Sequence, residues 1–266
     1  MSTERPPRQP LTLANINIER SKHLPQVMSF LARSAPDVVC LQELIVDDLF
    51  ELSCSLGYAH HSYAPMALYP GGGLIRPYGI GILSRIPILH SETIPYAGLG
   101  SGRDLVDLSS ADSKVRTSRY FVVLATVALA DTRFTIGNTH FPWTPDGSAS
   151  NDQRKACGRL IGSLGERPVV LCGDFNAPRG GEIFARLAAH WRDNIPASYT
   201  SSIDPNLHRA GPLPLMVDGA FSTNHYRVCN VVMHEGVSDH CAITADIFAR
   251  AAGCERVAAN VEEAST

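Results

Sequence analysis

The stretch VVLCGDFNAP (169–178) carries four apolar residues straight into Gly173, Asp174 and Asn176. A carboxylate there can take up a proton, and a carboxamide two residues later can donate to an anion without adding negative charge. The pattern recurs along the chain. Asn15 and Asn17, Glu43, His140, Asp218 and the pair Asp239–His240 mostly stand at or just past the end of an apolar run. Each has a structural explanation when taken alone, because Asp and Asn favour turns and strand-to-turn junctions. As a set they describe a cleft in which carboxylates and imidazoles handle protons beside amide donors. Rigid strand ends are where a sheet protein converges such groups.

That cleft requires strands that stop together, and the sequence supplies them. LTLAN (11–15), DVVCLQE (37–43), IGILS (80–84), YFVVLATVAL (120–129), RFTIGNTH (133–140) and PVVLCG (168–173) read as strands, followed by MVDGAFS, RVCNVVM and CAITADI. Between them, Leu24, Val27, Met28 and Leu31 follow helical spacing, with Pro25 suited to a first turn. VDDLFELSCSLG (46–57) predicts a helix closed by Gly57, the segment 151–164 predicts another, and Ile183, Phe184, Leu187 and Trp191 mark a third. The run Gly71–Gly73 precedes no helix and reads as a turn. Intermingled elements with a strand-rich final third indicate one α/β domain with mixed sheets.

The blocks LANIN, VVCLQE, GIGILSRIPI, NTHF, LCGDFNAP, MVDGAF and GVSDH follow one another between Leu11 and Ile247. In that order and spacing the chain resembles the endonuclease/exonuclease/phosphatase superfamily, which has the deoxyribonuclease I-like fold. The resemblance implies a four-layer α/β sandwich of two packed mixed β-sheets flanked by helices, with the active cleft at one edge. It also implies a phosphodiesterase dependent on Mg²⁺ or Mn²⁺. Glu43 matches the principal metal carboxylate, with Asn15 beside it, and Asp239 matches a carboxylate that supports the ion. Oxygen donors of this kind suit hard divalent cations. Asp174 is expected to orient or deprotonate the attacking water, and Asn176 to donate to a phosphate oxygen. His240, biased towards imidazolium by Asp218, is expected to donate to phosphate as well. His140 is expected to assist at the phosphate or the leaving group. Asn17 stands where relatives carry Asp or Asn, so its amide is expected to position rather than to ligate.

Fold and catalytic core do not fix the substrate in a superfamily that cuts nucleic acids, phospholipids and inositol phosphates. NTHF stands where apurinic endonucleases show a Tyr–x–Pro–Asn-like stretch, and VSDH stands where inositol phosphatases show a Trp–x–Asp–Arg-type block. Nucleic acid ends, short single strands or nucleotide-like esters are the expected substrates. A small-molecule or lipid phosphatase is the alternative, and an intact catalytic set argues against a non-catalytic binding module. Two insertions are expected to select the substrate: 97–119 with Arg103, Arg116 and Arg119, and 198–214 with Tyr199, His208 and Arg209. An ordinary surface loop is the competing reading of both. Trp143, just after His140, can stack on a base or cap the core.

Composition narrows the partners. The 266 residues are 44% hydrophobic with a formal net charge of −3, which supplies a large core but not the basic face needed to grip long duplex DNA. No run approaches the roughly 20 apolar residues of a membrane span. Seven scattered cysteines without a C-x-x-C pair suit free thiols better than a disulfide or zinc framework. The expectation is a cytoplasmic protein with a short disordered lead-in (1–10), one catalytic domain (11–249) and a tail (250–266). No membrane and no obligate protein partner are expected.

Overall fold

The computed structural model describes residues 9–250. The expected lead-in and tail, together with Cys254, lie almost wholly outside the described residues. Two mixed sheets of six strands each form the body. The first runs, edge to edge, β11 (Tyr226–His234), β12 (Ala242–Ala249), β1 (Leu11–Asn17), β2 (Val38–Ile45), β4 (Leu74–Ser84) and β3 (His60–Gly71). The second runs β5 (Ile88–Gly98), β6 (Arg119–Leu129), β7 (Thr132–His140), β8 (Val170–Asp174), β10 (Asp218–Ser222) and β9 (Arg192–Asp193). In each sheet the central neighbours are parallel, β1 with β2 and β7 with β8, while the flanking pairs are antiparallel.

The helices close the outer layers. On α1 (Leu24–Ser34), Leu24, Val27 and Leu31 are buried with Pro25 in the first turn. On α2 (Val46–Leu56), Leu49 and Leu52 are buried, and Gly57 ends the helix at φ 74°. These side chains pack on Ala14, Ile16, Val39 and Leu41 of the first sheet. A capping box of Ser150 and Gln153 starts α4 (Asn151–Leu164), which packs with α5 (Glu182–Ala188) on the main core. The four-layer α/β arrangement is the one the sequence blocks imply. Among the described residues no helix is long and apolar enough to cross a membrane.

Three elements escape a reading by pattern. Strand β3 contains Pro65 and Pro70, and β5 contains Pro95, residues that weaken any strand signal. Both are edge strands, where proline is tolerated because one side of the backbone has no ladder to complete. The short α3 (Ala111–Thr117) buries none of its residues, so it leaves no apolar periodicity. Its start is set locally instead, by Ser110 Oγ accepting from the Ser113 N–H at 3.0 Å.

Candidate active site

Strand periodicity builds the site. Successive side chains alternate between faces, so Leu11, Leu13, Asn15 and Asn17 of β1 share the face that meets the second sheet. Val38, Cys40 and Gln42 of β2 do the same, as do Phe134, Ile136, Asn138 and His140 of β7. The first residues of each series are apolar and belong to the core between the sheets. The last are polar. Because β1 runs parallel to β2 and β7 to β8, these polar ends emerge at one edge of the sandwich.

Glu43 owes its position to a β-bulge. The β2–β4 register shifts between Leu41 and Leu44, and Glu43 takes a left-handed φ of 54°. Bulges of this kind redirect a side chain at the cost of regular pairing. The second sheet caps the irregularity: Asn138 Nδ2 donates to Leu41 O (2.9 Å) and Gly81 O (2.7 Å). Gln42 Nε2 donates to Asn138 Oδ1 (2.7 Å) and Asn15 Oδ1 (2.8 Å). A fully buried amide bridge thus fixes the two sheets directly beneath Glu43. Burial alone would raise the Glu43 carboxyl, but Lys114 and Arg20 pull it down to about 2. It is ionised, and its buried Oε2 accepts no hydrogen bond.

Asp174 forms the hub on the other sheet. Gly173 before it, at φ 153°, lets β8 approach β7 so closely that any Cβ would strike the Thr139 carbonyl. In register, Asp174 lies between His140 of β7 and Asp218 of β10. Its Oδ1 accepts from the Asn176 N–H at 2.8 Å, the turn that holds Asn176 at φ 46°. Its Oδ2 accepts from Asn17 Nδ2 at 3.1 Å and lies 3.5 Å from His140 Nε2 and 3.9 Å from His240 Nε2. Burial raises the Asp174 carboxyl, which strengthens it as a base. Burial also depresses His140 to about 4, leaving that imidazole neutral. For His240 burial acts in the same direction, but the Asp218 and Asp174 carboxylates outweigh it and hold the ring well above its ordinary value. The Nδ1 of His240 lies 2.7 Å from Asp218 Oδ2.

Acidic oxygens and an imidazole nitrogen of Asp174, Asp218 and His240 lie within 4.8 Å of one another. A shared proton explains that spacing better than a metal ion does, because a protonated imidazole has no lone pair to offer. A cleft of about 390 Å³ opens over Asp174 and His240 and is also lined by Glu43 and Asp239. Burial pushes the Asp239 carboxyl up to about 7.

The sequence profile of the Endonuclease/Exonuclease/phosphatase family matches residues 14–240. The chain belongs to that family. Its architecture agrees: the endonuclease/exonuclease/phosphatase from Bacteroides vulgatus superposes with a TM-score of 0.65 at 17% identity, over 91% of this chain and 100% of that one. The human Nocturnin catalytic domain with bound sulfate anion gives 0.65 at 19% identity, over 93% and 100%. Sphingomyelinase C from Streptomyces griseocarneus gives 0.63 at 15%, over 90% and 99%. At such identities the likeness is one of fold. No curated protein matches the chain.

In this Endonuclease/Exonuclease/phosphatase family member, Asn17, Glu43, His140, Trp143, Asp174, Asn176, His208, Arg209, Asp239 and His240 all line the cleft. Asp218 stands behind His240, and Asn15 lies below, with its Oδ1 taken up by Gln42. Asn176 Nδ2 donates to Phe141 O at 2.9 Å, which leaves one amide hydrogen of the two. Arg116, Arg119 and Tyr199 are not among the lining residues. The Arg119 guanidinium lies over the Phe121 ring, 5.2 Å from its centroid, within the reach of a cation–π contact. Tyr199 packs against the core, and Arg116 Nη2 reaches Ser113 Oγ at 3.4 Å.

Sequence reasoning missed Lys114 and Arg20 as cleft cations, and Gln42 and Asn138 as the bridge. The last two lie inside the quoted blocks VVCLQE and NTHF, on the same face as their apolar predecessors, and that parity was the available signal. The segment 198–214 is also more than an insertion. Ser202 Oγ accepts from the Val217 and Asp218 N–H groups (3.0 and 3.1 Å), and Ile203 bridges His240. Buried Asp204 accepts from the Asn206 and Leu207 N–H groups, both at 2.9 Å, and from Gly236 N–H at 2.6 Å. The loop is thereby stitched to the turn that presents Asp239 and His240.

Proposed function

We propose that this chain is a divalent-metal-dependent phosphodiesterase that hydrolyses nucleic acid ends, short single strands or nucleotide-like esters by in-line attack of an activated water. The observation that carries the reading is the meeting of Glu43, Asp174, Asp239 and His240, far apart in sequence, around one cleft. The donor set fits Mg²⁺ or Mn²⁺: Glu43 is ionised with an oxygen free of hydrogen bonds, and its neighbours offer oxygen rather than sulfur. Glu43 and Asp239 would hold the ion, with Asn15 beneath. When bound, such an ion neutralises phosphate charge and stabilises the negative charge that develops during hydrolysis.

The protein's own groups do the rest. Asp174, with its carboxyl raised by burial, accepts the proton of the attacking water, and Asn17 Nδ2 fixes the accepting oxygen. His240 is kept as an imidazolium by Asp218 and donates to a phosphate oxygen. Neutral His140 and the remaining amide hydrogen of Asn176 supply further donors without adding negative charge. At the rim, Lys114 and Arg209 offer positive charge, His208, which burial disfavours from charging, offers an imidazole, and half-buried Trp143 offers a stacking face. Those rim groups support a nucleotide-like substrate.

Leu108, which lines the cleft at 49% exposure beside Leu105 at 50%, favours a second reading, a lipid ester. The test is hydrolysis with added Mn²⁺ of short oligonucleotides, mononucleotide esters and phospholipids, each with an Asp174→Ala control. Oligonucleotide cleavage that weakens as salt rises supports the first reading. Salt-insensitive hydrolysis of lipid alone supports the second. No hydrolysis of any phosphoester removes both.

A further inference from the structure

Arg20 has no part in the mechanism above, yet it lines the cleft beside Glu43. Its Nη1 lies 3.3 Å from Glu43 Oε2, an oxygen that accepts no hydrogen bond. The pair is an ionic approach rather than a completed bond. The guanidinium has other supports close by. It lies over the Tyr69 ring, 5.1 Å from the centroid, and its Nη2 is 3.4 Å from Glu19 Oε1. The backbone below is unusual: Glu19 and Arg20 are consecutive left-handed residues, with φ 44° and 62°. The Glu19 N–H donates to Asn17 Oδ1 at 3.1 Å, so the turn that carries Arg20 is tied to the residue that holds Asp174.

We propose that Arg20 is the resident counter-ion of the metal carboxylate and a phosphate-binding residue of the same site. A divalent cation and a guanidinium repel one another when both crowd one carboxylate, so metal uptake at Glu43 displaces Arg20. Still held at Tyr69, the freed guanidinium faces the cleft with a planar fork of donors suited to phosphate. Metal and substrate then reinforce each other: a phosphate that draws Arg20 away from Glu43 opens the carboxylate to the ion, and the ion releases Arg20 for the phosphate. Linkage makes the coupling reciprocal. The inference rests on the metal reading of Glu43 given above.

Calorimetric titration with Mn²⁺ of the wild type, Arg20→Met and Glu43→Gln tests it, with folding of each checked by circular dichroism. Arg20→Met is expected to bind Mn²⁺ about tenfold more tightly than the wild type, which corresponds to about 1.4 kcal/mol. It is also expected to raise KM for a phosphodiester severalfold, with Arg20→Lys intermediate in both. Should Arg20→Met fail to fold, the comparison of Arg20→Lys with the wild type decides by the same signs. Equal or weaker Mn²⁺ binding by the folded variant overturns the counter-ion claim and leaves the metal reading standing. An unchanged KM overturns the phosphate role. A wild type that takes up no Mn²⁺ overturns this inference and the metal reading together.

Discussion

Asn138→Leu is the sharpest test of how the two sheets hold the site. The side chains of Asn138 and Gln42 are fully buried, and leucine keeps the branched, four-heavy-atom shape of asparagine with a larger volume, so a cavity is not the expected cause of any loss. The substitution removes three hydrogen bonds, to Leu41 O, Gly81 O and from Gln42 Nε2. A buried polar group left without a partner costs about 1–3 kcal/mol. Some relaxation follows, so the expected loss is about 3–6 kcal/mol, comparable with the whole stability of many domains. Urea unfolding followed by tryptophan fluorescence should show the midpoint lowered by at least ~1 M for a slope of ~2–3 kcal/mol/M. Gln42→Leu should also destabilise, and the double variant should lose less than the sum, because one deleted bond is counted in both singles. A loss below about 1 kcal/mol for Asn138→Leu would show that the amide bridge does not set the sheet register and that the Glu43 bulge stands without it.

Asp218→Asn should lower kcat by at least about a hundredfold with little change in folding, since it removes the carboxylate that keeps His240 charged; steady-state hydrolysis of bis-p-nitrophenyl phosphate measures this. His140, depressed to about 4, binds fewer protons folded than unfolded between there and 6.5. Its contribution to stability is therefore present above pH 6.5 and lost as pH falls through 4, by about 3 kcal/mol. Raised Asp239 slopes the other way across that whole range, so the measurable quantity is the wild type minus His140→Gln, by urea unfolding in chelator at several pH values. That difference should shrink as pH falls. Lys114→Ala and Arg209→Ala should raise KM severalfold, whereas Arg116→Ala, away from the cleft, should leave it unchanged.

Much of this was legible because the site repeats the logic of a strand. Asn15, Glu43, His140 and Asp174 each close an apolar run, and the core face of each strand points along it to the polar end. The turn reading of GDFN and its proposed site role fall on one feature, because Asp174 Oδ1 holds the Asn176 N–H while Oδ2 meets Asn17. What stayed hidden depends on contacts between sheets. Nothing local in VVCLQE says that Gln42 bonds across to Asn138, or that the pair cap a bulge. Arg20 sits in a left-handed turn whose φ values no propensity favours. Lys114 rides on a helix with no buried face, so its pattern resembled a solvated loop. The arginines that drew attention by charge alone, Arg116 and Arg119, are spent on Ser113 and Phe121 instead.

On the proposed reading, Glu43 and Asp174, brought from opposite sheets, hydrolyse a phosphodiester with the help of a divalent ion. Turnover of bis-p-nitrophenyl phosphate by chelator-treated protein, before and after Mn²⁺ is restored, tests it most directly. Activity is expected to vanish with chelator and return with Mn²⁺ in the wild type, to return only at far higher Mn²⁺ in Glu43→Gln, and never to return in Asp174→Ala. Full activity in chelator, or an Asp174→Ala protein as active as the wild type, would contradict it.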